Sequence, residues 1–158
     1  MPLSQHLPRW IISSVSQHFE GRRQGIFMFI EGQLRDTSDL KDFFELRVDG
    51  PYYTELSKGF WRVYIEINVL IQSAQDKEDR FRIYKTAGVV AAAFEQVISI
   101  FKYGDEVGDD NSLVGCMKLL GDKEARERIQ ISHFGQVGPE TGISQSTVEA
   151  HYVAELRE

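Results

Sequence analysis

Four histidines and one cysteine are the residues of this 158-residue chain best suited to hold a metal or act as a nucleophile. His133 and His151 fall on segments that read as strands able to lie side by side, and Cys116 falls on a third. A three-ligand site of the zinc type is therefore geometrically open to them. The plainer account makes His151 a solvent-facing strand residue and Cys116 a small core residue. Short helical or knuckle spacing, the usual mark of a metal site, is missing, so no metal ligands are assigned. His6 and His18 belong to the first helix as surface or packing residues.

Carboxylates offer acid–base chemistry where two face each other across a cleft. Glu45, Glu55 and Glu66 lie in or near strands, but no spacing singles out a pair, and no catalytic residue is assigned. The loop carrying Asp105, Glu106, Asp109 and Asp110 lacks the alternating ligands and closing Glu of an EF-hand. Its acids can line a channel in which like charge keeps DNA from sticking. A solvated surface loop accounts for them more simply. Phosphate-cradling glycine loops and the Gly-x-Ser-x-Gly elbow are both absent. The expected protein is not an enzyme and takes no cofactor. What remains is surface for partners. Tyr52, Tyr53 and Phe60 flank a Gly/Pro-rich turn, while Tyr64 and Glu66 project from the polar side of the strand that follows. These five form the candidate interface, exposed aromatics being common anchors of protein contacts.

The elements that must position these groups are legible in the periodicities. WRVYIEINVLIQ, residues 61–72, alternates Trp61, Val63, Ile65, Ile67, Val69 and Ile71 with Arg62, Tyr64, Glu66, Asn68, Leu70 and Gln72. Period-two alternation predicts a long strand with one buried face. Pro8 in a first turn and Ile11, Ile12, Val15 and Phe19 at helical spacing predict an N-terminal helix stopped by Gly21. The run 26–30 predicts a strand covered on both faces, and residues 36–42 read as a turn. Residues 43–49 predict a strand broken by Asp49-Gly50-Pro51, pairing antiparallel with the long one, with a separate short strand at Tyr53, Thr54 and Leu56. Asp76 is the expected N-cap of a long helix. Its stripe of Ile83, Ala87, Val90, Phe94, Val97 and Phe101 would run to Gly104. Strands follow over 113–120, 128–137 and 147–156, the last with Val148, Ala150, Tyr152, Ala154 and Leu156 inward. The expected fold is α+β over a single domain, 1–158. Its sheet would be mainly antiparallel with one long hairpin, packed by a long central helix and the N-terminal helix.

A net charge of −6 argues against a general nucleic-acid binder. One cysteine permits no internal disulfide and fits a reducing cytoplasm. The N-terminal residues lack the pattern of a signal peptide. No stretch approaches the roughly 18 apolar residues of a membrane span.

Several strings resemble those of tail-terminator or tail-completion proteins of tailed bacteriophages. They are GVVAAAFEQV at 88–97, YGD at 103–105, SLVGCMKLLGD at 112–122, QISHFGQV at 130–137 and TVEAHYVAEL at 147–156. Residues 46–73 look like the extended hairpin of that family. The resemblance implies a structural virion protein, made in the host cytoplasm, that forms a ring at the head–tail junction. The implied homohexamer would cap the tail tube, end its polymerisation and dock the head connector or stopper protein. Genomic DNA would pass through without sequence-specific binding. Implied partners are further copies of the chain, the tail tube protein and the connector, with no membrane. Another ring of the tail or neck, such as a tube protein or head-completion adaptor, fits the same features. A small metal- or ligand-binding enzyme is the rival from a different class.

Overall fold

The computed structural model describes residues 3–33, 36–37, 40–75, 78–79, 81–121, 129–136 and 142–158. The chain is an α+β domain. In order it forms α1 (Leu7–Glu20), β1 (Phe27–Ile30), β2 (Asp42–Ser57), β3 (Phe60–Ala74), α2 (Arg82–Ala93), β4 (Val97–Phe101), β5 (Leu113–Leu119), β6 (Ile129–Gln136) and β7 (Ile143–Arg157). The seven strands make one mixed sheet ordered β1-β2-β3-β7-β5-β4, with β6 also paired to β7. β1 runs parallel to β2, while β3 runs antiparallel to both β2 and β7. One edge of β7 lies along β3 for its whole length. Its other edge is shared, β6 taking 144–150 and β5 taking 152–154.

The alternation of residues 61–72 dictates how this sheet is filled. Ile65, Ile67, Val69 and Ile71 are at most 1% exposed, as are Val148, Ala150, Tyr152 and Ala154 opposite them on β7. Leu7, Trp10, Ile11, Val15 and Phe19 of α1 join the same core, as do Ala87, Val90 and Ala93 of α2. Burying each large apolar side chain contributes about 1.5–3 kcal/mol, so this stripe makes β3 and β7 the spine of the domain. α1 packs on β4 and β2, and α2 on β3, β7 and β6. Both helices therefore lie on the face carrying the apolar stripe. The opposite face bears no described helix.

Several expectations are corrected. The long central helix is a helix of 12 residues ending at Ala93, and Val97–Phe101 is a strand. Ile98 and Ile100 are both buried. Two residues apart, they face one way on a strand but opposite ways on a helix, and the sheet wins. The expected N-cap Asp76 lies outside the described residues, and Phe81 occupies the N-cap position of α2. Asp49-Gly50-Pro51 does not end a strand. β2 runs through it with a bulge, Asp49 facing Glu66 and Tyr52 facing Tyr64, and reaches the hairpin turn at Lys58 and Gly59. Gly50 has φ +98°, and a Cβ there would stand 2.9 Å from the Tyr64 carbonyl oxygen, so the bulge needs glycine. The run 26–30 is an edge strand, with Phe27 55% exposed rather than covered on both faces. Of the expected strand 128–137, the two end residues lie outside the described residues.

Candidate functional site

The face of the sheet away from α1 and α2 gathers four of the five candidate interface residues and His151. Cross-strand pairing builds it in rows, since directly opposed residues share a face. Tyr52, Tyr64 and Val153 form one row, and Asp49, Glu66 and His151 the next. Nearer the hairpin turn, Arg62 donates to Glu155 at 3.0 Å, and the Arg157 guanidinium lies 5.8 Å from the centre of the Phe60 ring. Of the five candidate interface residues, Tyr52, Phe60, Tyr64 and Glu66 thus share this face. Tyr53 does not. The bulge turns it toward the helix-bearing side, opposite buried Val63, where its hydroxyl has no partner among the described residues. Burial pushes its phenol above the ordinary tyrosine range.

At the centre of the open face, Glu66 meets Glu149 and His151. One ligating atom from each lies within 4.8 Å of the other two. Glu149 Oε1 and His151 Nε2 are 3.1 Å apart. Among the described residues, neither Glu66 nor Glu149 forms a salt bridge with Arg or Lys. The Glu66 carboxyl is held above the usual carboxylate range. Partial burial is the main cause, then a hydrogen bond shared with Glu149, with Asp49 and Glu149 adding repulsion and His151 opposing. A cavity of about 150 Å³ adjoins the cluster, walled by Tyr52, Tyr64, Leu120, Glu66 and His151.

Other candidates are not brought together. His133 stands on the helix-bearing side, its Nδ1 2.6 Å from Ser146 Oγ and its ring 4.5 Å from that of Tyr84. His151 is on the opposite face, and Cys116 sits beside Ser99 at 3.7 Å on β5. The three-ligand set of His133, His151 and Cys116 does not form. Glu45 accepts from Arg47 at 2.8 Å. Glu55 lies opposite Trp61, so no two of Glu45, Glu55 and Glu66 face each other.

The acidic loop has its own internal order. The Asp109 side chain is fully enclosed and accepts from Arg9 Nη1 at 2.5 Å, Trp10 Nε1 at 2.7 Å and the Glu106 N–H at 3.0 Å. These donors hold its carboxyl far below the ordinary range, the Arg9 hydrogen bond most of all, and Asp109 in turn raises Arg9. Asp110 accepts from the N–H and hydroxyl of Ser112. Gly104 makes room for the pair: at φ +149°, a Cβ there would sit 2.0 Å from Arg9 Nη1. Asp105 and Glu106 remain exposed, Glu106 at the edge of His6 and Arg9.

Sequence reasoning missed Glu149 and Arg9. Glu149 and His151 are two apart on one strand and so share a face, but their meeting with Glu66 depends on the β3–β7 register. Arg9 and Asp109 are 100 residues apart, and no periodicity links them.

No family model matches the chain, and no curated protein does. Solved structures do, 23 chains in all, so the architecture is not confined to this sequence. One of them, whose name states no function, has a TM-score of 0.51 at 13% identity over 96% of each chain. At that identity the likeness is one of fold alone. No helix among the described residues is long and apolar enough to cross a membrane.

Proposed function

We propose that the protein is a structural component of a phage virion rather than an enzyme. In this reading it closes into a ring, a hexamer, at the head–tail junction. The ring caps the tail tube, ends its polymerisation and docks the head connector while DNA passes through the centre. The observation that carries the reading is the face, away from both described helices, of a sheet built on two strands of 15 residues. That face offers partly exposed aromatics, Tyr52 and Tyr64, beside the Arg62–Glu155 pair and the cluster of Glu66, Glu149 and His151. It has the composition of a contact surface, with aromatic anchors inside a polar rim.

A second feature supports a head-to-tail assembly. β1 covers only residues 43–46 of β2, so the outward edge of β2 over 47–57 has no strand beside it among the described residues. A long free edge invites pairing with another chain, and a neighbouring subunit covers it in a closed ring. The exposed Asp105 and Glu106 supply the negative charge suited to a channel that must not grip phosphate.

Electron microscopy of the concentrated protein, with its mass measured in solution, tests the reading. Rings with an open centre are expected. A closed particle with no central opening would overturn it.

A further inference from the structure

Glu66, Glu149 and His151 have the donor chemistry and placement of a metal site, independently of whether the chain forms a ring. The three ligands come from β3 and β7, the two most extensively paired strands of the sheet, so their backbones are fixed by continuous cross-strand pairing. Their ligating atoms already lie within 4.8 Å of one another. Around a tetrahedral ion with bonds of about 2.0–2.1 Å, donors stand roughly 3.4 Å apart. Glu149 and His151 are at 3.1 Å, and a Glu66 ligand atom lies within 4.8 Å of both. The cluster is rich in acid. Glu66, Glu149 and nearby Asp49 present three carboxyl groups, and among the described residues the cluster has no salt bridge to Arg or Lys, only the His151 ring to set against them.

We propose that Glu66, Glu149 and His151 bind one divalent transition-metal ion of the zinc class, with its fourth position open toward the cavity beside Tyr52 and Tyr64. An imidazole among the ligands favours zinc, cobalt or nickel over magnesium and calcium, which prefer all-oxygen shells. Three protein ligands with an open position differ from a closed structural site, so the bound ion can accept a water or a donor from another molecule.

The test is calorimetric titration of the metal-free full chain with zinc chloride, and with cobalt chloride followed by visible absorption. One ion per chain is expected, with the intense cobalt spectrum of tetrahedral coordination. His151→Ala and Glu149→Gln should each weaken binding at least tenfold, and excess magnesium should not compete. Both substitutions lie on the open face, and thermal melts establish that the variants are folded. Should one fail to fold, Glu66→Gln replaces it. Absence of stoichiometric binding would overturn the site. So would wild-type affinity in folded His151→Ala, which would place the ion on another histidine, or displacement by magnesium.

Discussion

Two regions of this chain concentrate acid, and they treat it in opposite ways. In the loop after β4, Asp109 is enclosed and met by Arg9, Trp10 and a backbone N–H. On the open face, Glu66 and Glu149 crowd each other with a histidine alone to oppose them. The first arrangement is complete in itself: it ties α1 to the loop and leaves the carboxylate nothing further to bind. The second is incomplete and half-exposed. Acid serves the fold where its charge is met within the chain. On the open face the charge is left to the proposed cation to meet.

Substitutions can break or sharpen that contrast. The largest effect comes from placing an acid where neither arrangement exists. Ile65 is 1% exposed among apolar neighbours, and Ile65→Asp should cost about 4 kcal/mol or more and abolish cooperative thermal unfolding. Glu66→Lys, one residue on but facing the other way, should melt as a folded protein and fail to assemble; normal assembly would remove Glu66 from the contact. Next in size is Asp109→Ala, which strands the Trp10 N–H and takes from the Arg9 guanidinium its shortest ion pair. It should lower the melting temperature by several degrees, read by circular dichroism. Smaller, and opposite in sign, is Glu66→Gln. Removing one of two crowded carboxyls should leave the melting temperature unchanged or slightly raised when measured with a chelator present.

The pH dependence of the loop follows from the same contrast. The Asp109 carboxyl titrates lower in the folded chain than in the unfolded one. Its contribution is therefore fully present above the ordinary carboxylate value, about 3.9, and is lost as pH falls below it toward the folded value. Acid titration should loosen the α1–loop contact in that window, seen as a change in Trp10 fluorescence. Asp109→Asn should flatten the change.

Much of the scaffold could be read from residue order alone. The period-two pattern of 61–72 specified β3 and its buried stripe, and the inward set from Val148 to Leu156 on β7 is buried as expected. Both patterns are long, and a helix cannot imitate them. The segment after α2 could not be resolved this way. Over five residues a helical stripe and a strand alternation overlap, and packing of Ile98 and Ile100 into the core decided between them. The Gly50-Pro51 pair looked like an end and is a bulge, because β3 continues opposite it and supplies partners on both sides. That bulge also separated Tyr53 from Tyr52 and Tyr64. The site was legible as a list of residue types but not as a constellation. Tyr64 and Glu66 could be placed on one face from their spacing, whereas Glu149 joined them only through strand register.

The most direct test of the central claim, that the open face is where copies meet, is sedimentation velocity on three proteins over a range of concentrations. These are the wild type, a Tyr52→Lys/Tyr64→Lys variant, and a Lys85→Glu control on the helix-bearing side. Assembly by the wild type and the control, with the double variant remaining a single copy of 18.1 kDa, is the predicted result. Assembly of the double variant indistinguishable from the wild type would contradict it.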